Sequence, residues 1–164
     1  MVGFPSGVNP GELIMTPKKV LACTDFSENS VPARICAIEY AKAFGAELLI
    51  LHVVNSRLLG YPTLANRVPV ETALIHENIR EGVEEELELL SNDCRRKVKK
   101  VSTHYRNGAP AAEIVRFAQE QSADLIVMGT HGWTGVRHLI VGSVAENVVR
   151  LANCPVLTVR STIG

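Results

Sequence analysis

A glycine pattern in the last third of the chain has the residue types and spacing best suited to chemistry. Gly129 and Gly132 follow a short apolar run, and Gly142 and Ser143 come after nine intervening residues, where a helical pattern begins. Glycine lets ligand oxygens approach backbone N–H groups without meeting a Cβ. A helix start adds unpaired N–H groups and the positive end of the helix dipole. With the hydroxyls of Ser143 and Thr134 as further donors, the pattern predicts a phosphate-binding loop that needs no lysine.

Each of these residues also has a purely structural interpretation. The glycines suit tight turns, and Ser143 suits the cap of a helix. Asp25, directly after an apolar run, is a candidate ligand residue and also a typical turn or cap residue, and the two roles do not exclude each other. His131 has no partnered carboxylate nearby in the sequence, so it is a weak candidate for a general base. His52 is interpreted as an interior histidine with a hydrogen-bond partner, and Trp133 as a packing or interface residue.

Composition narrows the class of protein. The chain has 164 residues, 46% of them hydrophobic and 21% charged, which predicts one domain with its own core. A formal net charge of +0 gives no broad electrostatic reason to expect nucleic acid or anionic lipid as a partner. The chain has four cysteines, Cys23, Cys36, Cys94 and Cys154. Their positions lack the spacing of a zinc site or a disulfide framework, which favours a reducing, cytoplasmic location.

The start of the chain is predicted to be a flexible arm. Residues 1–17 are rich in glycine and proline, and the early part has no lysine or arginine and no apolar centre of a secretion signal. No run in the sequence is long and apolar enough to cross a bilayer. The prediction is therefore an arm over residues 1–17 and a single domain over residues 18–164, without a membrane partner.

Alternating strand and helix patterns position the candidate residues. Apolar runs predict strands over 19–24, 47–54, 101–106, 124–128 and 156–160, and helical patterns fill 27–45, 75–98, 110–122 and 143–151. The connection from Asn55 to Pro69 is long enough to be a lid or a loose excursion. This alternation predicts an α/β fold with a parallel sheet, whose ligands bind beyond the carboxyl ends of the strands. Asp25, Val53 and Gly129 lie there.

The motif from Gly129 to Ser143 resembles the G-x2-G-x9-G-(S/T) signature of ATP-binding universal stress proteins. The segments 24–28 (TDFSE), 51–53 (LHV) and 153–159 (NCPVLTV) resemble that family's other landmarks. The resemblance implies a three-layer fold like that of adenine nucleotide alpha hydrolases. Its five-stranded parallel sheet would have the order 3-2-1-4-5, with helices on both faces.

Transferred position by position, the resemblance implies a set of nucleotide-binding residues. The backbone of Val53 would hold the adenine edge, Asp25 and the backbone of Cys23 would border the adenosine, and Met128 and Gly129 would approach the sugar. The loop that contains His131 would surround the phosphates through Gly132, Trp133, Thr134, Gly135, Gly142, Ser143 and Val144. The ligand would be ATP (or AMP/ADP), accompanied by Mg²⁺ or Mn²⁺. Trp133 departs from the basic or small residue of many relatives, and Arg137 or His138 is the candidate to replace that charge.

The resemblance implies a nucleotide-dependent stress-response switch read by an unknown protein partner. A slow ATPase or an autophosphorylating protein, with Ser143 or Thr134 as acceptor, is the enzyme alternative, although the sequence contains no arranged nucleophile, base and orienting residue. A nucleotide-free dimeric scaffold is a third alternative. The family also implies a homodimer through the last strand, since a bare apolar edge strand favours aggregation.

Overall fold

The computed structural model describes residues 16–55, 70–130 and 142–161. Almost all of the predicted arm and of the connection after Asn55 lies outside these residues. The elements, in chain order, are β1 (Lys19–Thr24), a 3-10 turn (Glu28–Ser30), α1 (Val31–Phe44), β2 (Glu47–Asn55), α2 (Val70–Arg95), β3 (Val101–Gly108), α3 (Pro110–Gln121), β4 (Leu125–Gly129), α4 (Ser143–Leu151) and β5 (Val156–Val159). None of the helices within these ranges combines the length and apolar character that a membrane span requires.

The five strands form one parallel sheet in the order β3-β2-β1-β4-β5. This confirms the predicted fold class and strand order. The order arises because the chain runs outward from β1 through β2 to β3, then returns to the other side of β1 with β4. Strand order therefore reverses between β1 and β4, which is where open sheets of this class leave a ligand crevice.

Side chains from alternate strand positions build two separate cores. One core lies under α1 and α2 and includes Val20, Ala22, Leu48, Ile50 and Val127. The other lies under α3 and α4 and includes Leu21, Leu49, Leu51, Ile126 and Phe117. Successive residues of a strand point to opposite faces, so continuously apolar strands are required when helices cover both faces. The sheet is accordingly the buried middle layer of three.

Helix boundaries agree with the sequence pattern in part. Pro32 lies in the first turn of α1, and Gly45 ends that helix with φ of 64°, as predicted. The prediction that Ser27 caps this helix is wrong for α1, which begins at Val31, because Ser27 is the N-cap residue of the 3-10 turn over residues 28–30 that precedes it. The long helix spans Val70–Arg95 rather than 75–98.

The edge of the sheet opposite the crevice is held by one aspartate. Asp124 Oδ2 accepts the backbone N–H groups of Lys18 at 2.8 Å and Lys19 at 2.9 Å. The Lys19 ammonium donates to the carbonyl of Gln121 at 2.9 Å. These contacts join the start of β1 to the segment before β4. The two strands that flank the crevice are therefore fixed relative to each other at their far ends.

We expect stability to fall as the pH drops below about 6.5, because two half-buried histidines resist protonation. Burial, followed by the charge of Arg106, lowers the pKa of His104 below its usual 6.5. Burial also lowers the pKa of His52, against the opposing effects of Thr24 and Asp25. The unfolded state then binds more protons than the folded state in the window from 6.5 down to the folded-state pKa values, so acid favours unfolding. Urea midpoints measured between pH 5 and pH 7.5 check this. The change in stability with pH should be smaller in the His104→Asn variant than in the wild type. A slope unchanged in that variant would contradict the assignment to His104.

Candidate functional site

The candidate site lies at the carboxyl edge of the sheet, around the reversal point between β1 and β4. Thr24, the last residue of β1, is paired in register with His52 of β2, and Val53 follows one position farther out. On the other side, Met128 and Gly129 end β4 and pair with β5. The strands thus bring residues from three distant segments to one edge.

Backbone hydrogen bonds tie the end of β4 to the start of α4. The N–H of Thr130 donates to the carbonyl of Val159 at 3.0 Å, which continues the pairing of β4 with β5. The N–H of Gly142 donates to the carbonyl of Thr130 at 2.6 Å. Thr130 and Gly142 are therefore in direct contact, and α4 begins directly beside the end of β4.

The first turn of α4 presents backbone N–H groups without a side-chain cap. Gly142 is the N-cap, with φ of −69° and ψ of 152°, and no side chain in the described part of the chain caps the helix. The carbonyl of Gly142 accepts the N–H of Glu146 at 3.0 Å, so the N–H groups of Ser143 and Val144 precede the first bond of the helical ladder. Backbone N–H groups at a helix start, together with the helix dipole, are the arrangement that anions favour.

Ser143 is not the helix cap. It is the first residue of α4 and is exposed, and its carbonyl accepts the side-chain amide of Asn147 at 2.7 Å. The structural alternative considered for this serine is therefore wrong, since glycine occupies the cap position. Glycine at a cap supplies no side-chain oxygen, so the cap residue itself does not satisfy the N–H groups that a serine or aspartate would satisfy.

The turn after β1 fixes the carboxylate of Asp25. Its Oδ1 accepts the N–H of Ser27 at 3.0 Å and the hydroxyl of Ser27 at 2.6 Å. Sequence reasoning missed this network, in which Thr24 Oγ1 also accepts the N–H of Phe26 at 3.0 Å. The sequence signal that could have revealed this network is the run of small polar side chains directly after a buried strand. Asp25 is therefore a turn residue, which leaves its predicted ligand role open because a carboxylate accepts several hydrogen bonds.

His52 has the hydrogen-bond partner that the sequence predicts, although it is half-buried rather than fully interior. Its Nδ1 lies 2.9 Å from the carbonyl oxygen of Thr24, and its ring stacks on Phe26 with 4.3 Å between ring centroids. Because the carbonyl can only accept, Nδ1 carries the proton and Nε2 of the neutral ring does not. The ring thus joins β2 to the turn that contains Asp25.

The four cysteines are free thiols. Burial, with a smaller effect from Cys154, raises the pKa of Cys23 to about 12. A thiol with this pKa stays protonated at neutral pH and is a poor nucleophile. Its side chain belongs to the core under α3 and α4. A contribution of Cys23 to the crevice would therefore come from its backbone.

The structure brings eight of the predicted site residues to this edge: Cys23, Asp25, Val53, Met128, Gly129, Gly142, Ser143 and Val144. The other five lie outside the described residues: His131, Gly132, Trp133, Thr134 and Gly135. Arg137 and His138 are outside them as well. Within the described ranges, no group of three or more histidine, cysteine, aspartate or glutamate side chains is placed to hold a metal ion.

Comparison with known proteins matches this chain to one family. The family model for the universal stress protein family matches residues 16–160. Universal stress protein MJ0531 of Methanocaldococcus jannaschii is 40% identical over 144 residues, which cover 87% of this chain and 82% of the relative. Universal stress protein YxiE of Bacillus subtilis is 37% identical over 145 residues, covering 87% of this chain and 98% of the relative.

Solved structures with this fold include two further relatives. A universal stress protein crystallised in complex with cAMP has 25% identity and a TM-score of 0.66, over 88% of this chain and 98% of that one. Universal stress protein UspA from Lactobacillus plantarum has 23% identity and a TM-score of 0.73, over 87% of this chain and 97% of that one. At this identity, the similarity to UspA from Lactobacillus plantarum concerns the fold alone. The family match and the identity to MJ0531 establish that this chain belongs to the universal stress protein family.

Proposed function

We propose that this chain binds ATP in the crevice between β1 and β4 and that the bound nucleotide acts as a stress-response switch. The observation that supports this most is the uncapped N-terminus of α4, held beside the end of β4 by the bond from Gly142 to Thr130. Glycine as cap leaves the N–H groups of Ser143 and Val144 for phosphate oxygens. AMP or ADP could use the same crevice with fewer phosphate contacts.

The remaining contacts are proposed along the same edge. The backbone of Val53 would hold the adenine, Asp25 and the backbone of Cys23 would border the adenosine, and Met128 and Gly129 would lie near the sugar. The segment from His131 through Gly132, Trp133, Thr134 and Gly135 would complete the phosphate site. The solved universal stress protein in complex with cAMP supports an adenine nucleotide as ligand, because it shares this fold over 88% of the chain.

A divalent cation fits this proposal only as a partner of the phosphates. The residues described at the crevice include one carboxylate, Asp25, which already accepts two bonds from Ser27. Mg²⁺ at nucleotide sites is usually held by one or two protein groups together with phosphate oxygens and water. Mg²⁺ or Mn²⁺ would therefore arrive with ATP and neutralise phosphate charge, where the described part of the crevice supplies no lysine or arginine.

Binding is favoured over catalysis by the state of the described side chains. The Cys23 thiol is protonated and buried, and the Nδ1–H of His52 is held by Thr24. The described hydroxyl of the crevice that contacts a carboxylate is that of Ser27, and its hydroxyl and N–H both hold Asp25 in the turn, whereas fast turnover requires a nucleophile, a base and an orienting residue arranged together. Slow ATP hydrolysis or autophosphorylation on Ser143 or Thr134 is the enzyme alternative. A switch needs only different ATP affinities in two states, one of which another protein recognises.

Mass spectrometry of the nucleotide released from purified, denatured protein tests this proposal. We expect intact ATP at close to one equivalent per chain. Recovery of ADP together with phosphate on Ser143 or Thr134 would favour the enzyme alternative. Protein that neither carries nucleotide nor takes up added ATP would contradict the proposal and favour a scaffold.

We also propose that the chain forms a homodimer through β5. This edge strand is apolar in sequence, and each of its residues is only half-buried within one chain, from Val156 to Val159. Exposed Val149 and Leu151 lie on α4, which packs against β5. Pairing with a second copy would satisfy the unpaired edge and cover apolar surface. Sedimentation at micromolar concentration should give a dimer, and charge introduced on the exposed apolar surface by Leu151→Glu should shift it toward monomer. A stable wild-type monomer would contradict the proposal.

A further inference from the structure

The turn after β1 contains a strained residue. Phe26 has φ of 64°, although it carries a bulky side chain. Left-handed backbone of this kind costs a residue other than glycine about 1–2 kcal/mol, and it persists only when the surroundings hold it. Something close to Phe26 must therefore compensate for the strain.

Hydrogen bonds within the turn supply part of that compensation. The N–H groups of Phe26 and Ser27 donate to Thr24 Oγ1 and Asp25 Oδ1 respectively, each at 3.0 Å. The hydroxyl of Ser30 donates to the carbonyl of Ser27 at 2.7 Å and lies 3.1 Å from Thr24 Oγ1. These contacts link residues of one segment to the end of β1, so they shape the turn without joining it to the neighbouring strand β2.

His52 makes the contacts that come from the neighbouring strand. Its Nδ1–H donates to the carbonyl of Thr24, on one side of Asp25, at 2.9 Å. Its ring stacks on Phe26, on the other side of Asp25, with an interplanar angle of 26°. One side chain of β2 therefore contacts both neighbours of Asp25 in the chain.

We propose that His52 is a positioning residue that holds the Asp25 carboxylate toward adenosine at the crevice. The inference rests on the proposed nucleotide binding and adds a residue that need not touch the ligand. His52 and Val53 are adjacent in β2, so the strand that is proposed to hold adenine also fixes the turn that borders it. Loss of the Nδ1–H bond would free the carbonyl of Thr24 and let Phe26 relax out of its left-handed conformation, which would turn Asp25 away.

Three substitutions separate the parts of this contact. His52→Asn places an amide N–H where Nδ1 stands, so the bond to Thr24 can re-form. His52→Gln carries its amide farther out, toward the place of Nε2, and His52→Phe keeps a ring to stack on Phe26 without any donor. His104→Phe is the matched control. This half-buried histidine lies on β3 and contacts the ring of Phe117 on α3, away from the crevice.

ATP affinity measured by calorimetry is the first readout. We expect the Phe and Gln variants of His52 to bind ATP about tenfold more weakly, as the loss of one hydrogen bond predicts, and the Asn variant to stay within about threefold of wild type. His104→Phe should bind like wild type. The order of the variants distinguishes positioning from a general loss of stability, which would weaken all of them in step with their urea midpoints.

Amide hydrogen exchange at Phe26 and Ser27 is the second readout. It should be faster in His52→Phe than in His52→Asn, with or without nucleotide. ATP affinity unchanged in His52→Phe, or lost equally in the Asn and Phe variants, would overturn the positioning role while leaving the proposed function intact. Wild-type protein that fails to bind ATP would overturn the proposed function, and this inference with it.

Discussion

Replacing Gly142 with aspartate should weaken ATP binding by at least about a hundredfold while slightly stabilising the fold. The backbone at this position, with φ of −69° and ψ of 152°, is the conformation that a capping aspartate adopts. Its carboxylate would accept the N–H groups proposed for phosphate and would repel the phosphate charge. Two lost charge-assisted bonds of about 1.5 kcal/mol each correspond to the hundredfold loss, and the cap and the helix dipole together add about 0.5 kcal/mol of stability.

Gly142→Asn is the matched control for that variant. Asparagine caps a helix about as well as aspartate but carries no charge, so its fold stability should be similar and its loss of ATP affinity smaller. Titration calorimetry gives the affinities, and urea denaturation gives the stabilities. An aspartate variant that binds ATP like wild type would place the phosphates elsewhere.

Gly108→Ala should be among the most destabilising alanine substitutions at a glycine of this chain, at about 2–4 kcal/mol. Gly108 ends β3 with φ of 154°, which disfavours any Cβ. A Cβ there would also lie 2.9 Å from both Cγ and Oε1 of Glu113. Glu113 cannot easily move away, since its side chain is buried and its carboxylate pairs with Arg116. Backbone strain and overpacking add to give the expected cost.

Two other glycines separate these effects. Gly45 has φ of 64° but open space around a Cβ, so Gly45→Ala should cost only about 1–2 kcal/mol of strain. Gly82 lies on the exposed face of α2 with open space, and Gly82→Ala should stabilise by about 0.5–1 kcal/mol. Urea denaturation of the three variants ranks them. Equal costs at positions 45 and 108 would mean that Glu113 yields without penalty.

Much of the fold could be predicted because its signals are local. The runs 48–51 and 125–128 are apolar at successive positions, which a sheet covered on both faces requires, and the structure buries Leu48 through Leu51 and Leu125 through Met128. Glycine and proline marked helix ends at Pro32 and Gly45 for conformational reasons. The strand order, in contrast, followed from the family resemblance, since no local pattern encodes which strands are neighbours.

The details of the site depend on contacts between distant segments, which the sequence does not reveal. The stacking of His52 on Phe26 joins β2 to the turn after β1, and it accompanies a left-handed backbone that no propensity predicts for phenylalanine. The start of α4 at Ser143 was predicted correctly, but the structural alternative that made this serine the cap is wrong, although serine is the stronger capping residue in general. Here the bond from Gly142 to Thr130 places glycine at the cap instead. In both cases tertiary contacts override a local preference.

The position of the phosphates is tested most directly by the amide resonances of Ser143 and Val144 during a titration with ATP. We predict saturable shifts of both resonances with ATP and Mg²⁺, and little change with adenosine, which lacks the phosphates that these N–H groups would bind. Resonances of the first turn of α4 that stay fixed while ATP binds elsewhere, or that move equally with adenosine, would contradict the account.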